Sequence, residues 1–432
     1  TKMLSPIRIG ISGLGTVGVG VIQILRNYSN SIEVKTGRTI EIVAVSAKSR
    51  TKIRDQPIDS YQWESDPVSL ALRDDIDIYV ELIGGENGVA KESIEAAISK
   101  GVHVVTANKA LLAMHGNKLA KASEERGVLL KFEAAVAGGI PVIKVLNEAL
   151  SINKVTRVMG VMNGSCNYIL TRMEESELSY ASIFKEADDL GFLEADPTLD
   201  VGGIDSAHKL ALLSSLAFGT TVNFSGVNVQ GIEAISIDDI KHASDMGFRI
   251  KLLGVCEMTE AGLEQRVKPC LVPAGSPLGL LEGGTNMVVI ETEDSGSIIL
   301  QGPGAGRNPT AHAVVSDIID IINGSKIKTF GTPYKLLKNA LVSNFSVDAP
   351  YYIRLLLEDK PGALAKVTTC LGKEGISINR MRQYDHESSK APVLIVTHST
   401  SSDSIEKVLK ELPKTEVIAQ EPVALRIEEL NY

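Results

Sequence analysis

Cysteine is scarce. The chain of 432 residues carries four, Cys166, Cys256, Cys270 and Cys370, and no two stand in a C-x-x-C pair. That scatter argues against a disulfide framework and reads as free thiols in a reducing, cytoplasmic setting. Aromatic residues make up only 4% of the chain, too few for a platform on which nucleic-acid bases would stack. The net charge of −9 is spread rather than gathered into blocks, which favours solubility and argues against a nucleic-acid partner. No uninterrupted apolar run reaches membrane-spanning length, so no membrane partner is expected. A strand begins by Ile7, which leaves no room for a signal peptide. The chain is too long for one ordinary core, so two or three domains are expected, and an apolar share of 44% suits a globular protein.

The first stretch is rich in glycine at telling positions. IRIGIS (7–12) reads as a buried strand, GLGTVG follows directly, and VGVGVIQIL continues with helical spacing. Gly13, Gly15 and Gly18 match G-x-G-x-x-G in the context the motif requires. Gly13 permits a tight turn and Gly15 lets a pyrophosphate approach the backbone. Gly18 brings helix and strand together, so that the helix N-terminus, with Thr16 and Val17, faces the phosphates. The second strand, EIVAVS (41–46), is followed by SAKSR. Sites selective for NAD usually carry an acid there; here Lys48 and Arg50 favour the 2′-phosphate of NADP. The alternative is a solvated basic turn. DIYVELIGG (77–85), VHVVTA and VLLKFEAAV read as further strands separated by helices, a Rossmann-type doubly wound sheet. Lys109, in TANKALL, follows the carboxyl end of a strand, where ligands bind in such sheets. It reads equally as a lysine at the start of a surface helix.

From about Pro141 the pattern changes. IDSAHKLALLSSLAFG (204–219) is apolar around nearly its whole circumference, as in a buried helix. Asp205 and Lys209 stand at i and i+4 and share one face. A buried lysine needs a partner or loses its proton, and a lysine kept charged by an acid one turn upstream can protonate an oxygen that is becoming negative. The alternative is an ordinary surface ion pair. Glu194, Asp196 and Asp200 lie in the preceding loop, where acids either bind a cationic ligand group or are merely solvated. Cys166 sits in a polar turn with no histidine close in sequence, and His208 points to a helix face other than that of Lys209. An inert thiol is therefore favoured over a thioester-forming nucleophile.

GLGTVG, TANKALLA, FEAAVAGGIP, VMNGSCNYIL, GFLEADPTLDVGGIDSAHK and GPGAGRNPTA together resemble the homoserine dehydrogenase family over residues 7 to about 325. The resemblance implies reversible NAD(P)-dependent interconversion of L-homoserine and L-aspartate 4-semialdehyde, a step in threonine, methionine and isoleucine biosynthesis. It implies that Lys209 donates and accepts the proton and that Asp205 holds it. Glu194 would bind the substrate's ammonium, with Asp200 a further acid on the substrate side and Lys109 shared by substrate and cofactor. Gly306 would contact the cofactor through its backbone. A monovalent cation, usually sodium, would be held by the Glu133 carboxylate and the carbonyls of Val136, Gly138 and Ile140. The implied division is a discontinuous nucleotide-binding domain over 1–140 and about 303–340, and an α+β substrate and dimerisation domain over 141–302.

After Pro350 a strand-helix-strand-strand-helix-strand order resets the pattern, a ferredoxin-like arrangement over 350–432. DKPG, ALAKV and ISINR in it resemble the ACT domain. This implies an amino-acid effector, threonine in this family, and assembly as a homodimer or homotetramer; the plain alternative is a structural dimerisation module. No kinase domain precedes residue 1, so a monofunctional enzyme is expected. The rival readings are a phosphorylating semialdehyde dehydrogenase with Cys166 as nucleophile, and a non-enzymatic sensor of a dinucleotide and an amino acid.

Overall fold

The computed structural model describes residues 4–431 except 194, 195, 344 and 387. It divides into two compact bodies, one of residues 1–164, 205–227 and 284–340, the other of residues 165–204, 228–283 and 341–432.

The first body is built on a six-stranded sheet: β1 (Ile7–Ser12), β2 (Ile40–Ser46), β3 (Gln62–Trp63), β4 (Ile78–Glu81), β5 (His103–Thr106) and β6 (Leu130–Lys131). The strand order is β3-β2-β1-β4-β5-β6 and every pairing is parallel. Parallel strands covered on both faces need continuous apolar runs, which is why Ile9, Ile11, Val45, Ile78, Val80 and Val105 are all buried. The order reverses between β1 and β4, and a crevice opens beyond their carboxyl ends. Helix α1 (Thr16–Asn27) follows β1. A helix from far along the chain, Arg307–Ile322, contributes Ala311, Val314 and Ile318 to the same core as Ile9, Val21 and Ile22. Three antiparallel strands complete this body, with Thr285–Thr292 between Val155–Val161 and Gly296–Pro303.

The strand expected over VLLKFEAAV is cut short. Pairing ends at Lys131, and Glu133–Ala135 form a 3-10 turn instead. The cause is a contact from far along the chain: the Glu133 N–H is drawn to the Asp317 carboxylate at 2.8 Å, which takes the chain out of the sheet.

In the second body, Phe248–Thr259 and Gly262–Pro273 form a long hairpin. The C-terminal segment has four antiparallel strands ordered Ile378–Gln383, Lys390–Thr397, Tyr351–Glu358, Ile418–Arg426, with helices Ala363–Lys373 and Ser402–Glu411. Its core is Ile353, Leu355, Leu357, Val367, Leu371, Ile405 and Val408. The segment is fastened to the rest of its body by buried charge. Arg354 pairs with Asp239, which is fully buried in the helix Ile237–Asp245, and Arg266 bridges Glu264 and Glu428. Among the described residues no helix is long and apolar enough to cross a membrane.

Candidate active site

The glycine-rich turn has the geometry its spacing requires. Gly13 has φ +96°, and a Cβ there would lie 2.3 Å from the Leu82 carbonyl oxygen, so the turn is closed to any side chain. A Cβ on Gly18 would sit 2.0 Å from the Gly13 carbonyl oxygen, the close helix–strand approach the motif provides. Gly15 has nothing within 4 Å of its Cβ position and is exposed with Thr16, while Val17 is half-buried. Packing therefore asks nothing of Gly15; open backbone at a helix N-terminus is what a pyrophosphate needs.

A cavity of about 360 Å³ adjoins this turn, lined by Gly13, Gly15, Ser46, Lys48, Lys52 and Arg54 among others, with no carboxylate in its wall. The Ser46 hydroxyl is buried there with no hydrogen-bond partner, an open valence for a ligand. Lys48 lines the cavity. Arg50 does not; its guanidinium lies 5.9 Å from the centre of the Trp63 ring. Two cations went unnoticed in the same basic run. Lys52 is in the wall, and Arg54 donates to the Leu14 carbonyl at 3.2 Å and the Ser49 carbonyl at 2.8 Å, tying the glycine turn to the 48–54 loop. Gly306 caps the Arg307–Ile322 helix and is not among the lining residues.

The loops after β4 and β5 are cross-braced by a residue that sequence reading passed over. Glu81 is fully buried; one carboxylate oxygen accepts the Ile83 and Gly84 N–H groups at 2.8 and 3.0 Å, the other the Thr106 hydroxyl at 2.6 Å. Asn108 donates to the Gly85 carbonyl at 2.7 Å and caps the next helix by accepting the Leu111 N–H at 3.1 Å. An acid closing the buried run IYVE was the available signal. The bracing fixes Lys109, the first residue of the helix Lys109–Arg126. A cation at that end opposes the helix dipole, so an anion has to hold it there.

That anion is Asp205. Its two carboxylate oxygens are divided between Lys109 Nζ at 3.0 Å and Lys209 Nζ at 2.8 Å, and Asn163 donates to it at 3.0 Å. Lys209 also donates to the Met162 carbonyl at 2.7 Å. Asp205 and Lys209 are 7% and 9% exposed, which sets aside the surface ion pair. Burial alone pushes the Asp205 carboxyl up, but the Lys209 and Lys109 ammoniums outweigh it and hold it well below the usual carboxylate range. The same contact places the Lys109 ammonium beside Asp205 and Lys209. His208 is buried and packs on Phe224 with ring centres 4.6 Å apart. Burial and then the Lys109 charge lower its pKa.

A second buried carboxylate lies at the end of β6. Glu133 accepts the Ile143 and Lys144 N–H groups at 3.0 and 3.1 Å, one on each oxygen. Among the described residues neither it nor Asp317 has an ion-pair partner within 4 Å. Burial, then Asp317, pushes Glu133 up to about 7; burial pushes Asp317 up to about 6 against the pull of Lys131. Gly138 is held at φ +54°, where a Cβ would lie 2.4 Å from the Gly304 carbonyl oxygen, so the 136–140 turn admits only glycine there. The Ile140 carbonyl accepts the Val142 N–H at 2.8 Å and retains one lone pair. Each Glu133 oxygen likewise keeps acceptor capacity, so the donor set fits a small hard cation.

Glu194 lies outside the described residues. In the second body Asp200 is buried, and its carbonyl accepts the Cys166 thiol at 3.2 Å. Cys166 is fully buried, the environment of an inert thiol rather than a nucleophile.

The description "Homoserine dehydrogenase, NAD binding domain" matches residues 13–133, "Homoserine dehydrogenase" matches 141–319 and "ACT domain" matches 351–416. The homoserine dehydrogenase of Neisseria gonorrhoeae is 39% identical over 99% of this chain and 100% of that one. That of Pseudomonas aeruginosa is 38% identical over 99% and 100%. The crystal structure of a homoserine dehydrogenase from Thiobacillus denitrificans superimposes with a TM-score of 0.93 at 35% identity, covering 99% of both chains. A hyperthermophilic archaeal homoserine dehydrogenase solved in complex with NADPH gives 0.62 at 28% identity, covering 73% of this chain and 97% of that one. The turn that receives a dinucleotide, the two-lysine carboxylate and these full-length relatives lead to one conclusion: the chain belongs to the homoserine dehydrogenase family of NAD(P)-dependent oxidoreductases.

Proposed function

We propose that the chain interconverts L-homoserine and L-aspartate 4-semialdehyde, in the cytoplasm, on the route to threonine, methionine and isoleucine. The observation that carries this reading is the Asp205 carboxylate shared by two ammoniums. A bound nicotinamide cofactor supplies or accepts the hydride. Lys209 does the proton chemistry. As the aldehyde oxygen gathers negative charge, Lys209 Nζ gives it a proton; in the reverse direction the neutral amine takes the proton of the hydroxyl. Asp205 pairs with the Lys209 ammonium and aims it, and Lys109 serves cofactor and substrate. Glu194 and Asp200 hold the substrate's ammonium.

NADP is the preferred carrier. Supporting this are Lys48 and Lys52 in a cavity wall without carboxylates, where a 2′-phosphate gains charge-assisted hydrogen bonds. Thr16, Val17 and the glycines bind the pyrophosphate, and Gly306 contributes its backbone. A monovalent cation, sodium by preference, is held by Glu133 and the carbonyls of Val136, Gly138 and Ile140. The nucleotide-binding domain is taken as 1–140 with 303–340, the substrate domain as 141–302 and the regulatory domain as 350–432. Threonine acts on the last of these in a homodimer or homotetramer. Removing that segment would strip buried Asp239 and Arg266 of their partners, so the effector is tested on the intact chain, by calorimetric titration with threonine.

The direct assay is growth of absorbance at 340 nm with homoserine and NADP, before and after treatment with iodoacetamide. Turnover that survives alkylation agrees with the proposal. No turnover with homoserine contradicts it, and loss on alkylation returns the role to a cysteine.

A further inference from the structure

Around Glu133 the charges do not balance. Asp317 accepts the Glu133 backbone N–H at 2.8 Å and is itself buried. The two nearest lysines both turn away from this pair toward Asp320: Lys144 at 2.7 Å, also donating to the Ser316 hydroxyl at 2.5 Å, and Lys131 at 3.4 Å. Three acids thus face two ammoniums, and the exposed Glu148 and Lys328 at the rim cancel. With all three carboxylates ionised, the state a bound cation requires, one negative charge is left over, with oxygen acceptors to spare. A divalent ion would overshoot that charge, and desolvating it in a site of this kind is costly unless the charge is matched.

We propose that Asp317 is the specificity-determining residue of the cation site. It fixes the backbone that carries Glu133 and, with Asp320 against Lys131 and Lys144, sets a residual charge of minus one that selects a monovalent over a divalent ion. This rests on the reading of Glu133 as a cation ligand.

The full-length protein is equilibrated in choline chloride and titrated with sodium at constant ionic strength, following the ²³Na line width, with calcium as competitor. NADPH fluorescence serves as the control for an intact fold. Asp317→Asn is expected to weaken sodium binding by about 10–100-fold, the usual cost of losing a partner behind a metal ligand, with NADPH binding unchanged. Lys144→Met leaves two uncompensated charges and is expected to move selectivity toward calcium by about tenfold or more. Absence of sodium binding by the wild-type chain, or its survival in Glu133→Gln, defeats the Glu133 reading itself. If the wild type binds and Glu133→Gln does not, sodium affinity within about threefold of wild type in Asp317→Asn overturns the role of Asp317 alone. Should Asp317→Asn fail to fold, Lys144→Met decides: a sodium-to-calcium ratio equal to wild type overturns the inference.

Discussion

Asp205 and Glu133 are buried to nearly the same degree, 7% and 3% exposed, in the same body of the protein, yet burial has opposite outcomes for them. Asp205 has an ammonium on each oxygen and stays ionised far below the ordinary range. Glu133 has only backbone N–H groups and a second acid behind it, and it is pushed up to about 7. Burial therefore does not decide what a carboxylate does; its partners do. One carboxylate is complete within the chain and serves to position cations. The other is incomplete within the chain, and the missing charge is the reason to expect an ion. Lys251 is the cationic counterpart of Glu133. It is buried, donates to the Asn167 side chain at 3.0 Å and to the Leu281 carbonyl, and is lowered to about 8 by burial and then by Arg249.

The largest effect is expected where the complete site is broken. Asp205→Asn leaves the buried Lys209 ammonium and the half-buried Lys109 ammonium side by side and should cost about 3 kcal/mol of stability, whereas Glu133→Gln in sodium-free buffer should cost under about 1 kcal/mol. Urea unfolding of both variants measures the contrast, and equal losses would erase it. The pH dependence has a definite sign. Because the folded Asp205 carboxyl is depressed, its contribution is fully present above the unfolded carboxylate value and is lost as pH falls through the lower folded value. Asp205→Asn should therefore flatten the acid limb of a stability–pH curve.

Next in size, Lys48→Glu with Lys52→Glu should lower kcat/KM for NADP relative to NAD by about tenfold or more, through loss of charge-assisted hydrogen bonds. A ratio unmoved by both reversals would mean the 48–54 loop does not read the 2′-phosphate. At Lys251 the expected signature is a slope rather than a single loss. Between about 8 and its ordinary value the unfolded chain binds the proton more tightly, so stability should rise with pH across that window, by at most about 1.4 kcal/mol per pH unit. Lys251→Met should remove the rise; an unchanged slope would show that Lys251 stays charged.

The parts of this legible in sequence were those written in short spacings. The i, i+4 relation of Asp205 and Lys209 and the glycine turn need only a helix and a strand to be placed correctly. The strand-helix-strand-strand-helix-strand order after Pro350 likewise announced the C-terminal sheet. Lys109 was undecidable because its contact with Asp205 joins the helix after β5 to a helix far along the chain, Ile204–Phe218, a matter of topology rather than pattern. Asn163 was hidden for the same reason. The early end of β6 depended on Asp317, far along the chain, capturing a single N–H. Arg50 and Arg54 were separable only by knowing which side chain Trp63 would hold.

The central claim is that Lys209, paired with and aimed by Asp205, moves the proton in the reaction. The measurement that tests it most directly is steady-state turnover of Lys209→Ala beside its NADPH dissociation constant. The expected result is a loss of about 10²-fold or more in kcat, with cofactor affinity within about threefold of wild type. Turnover within a few-fold of wild type would contradict it, because the carboxylate with two ammoniums would then be a structural brace and the proton would move elsewhere.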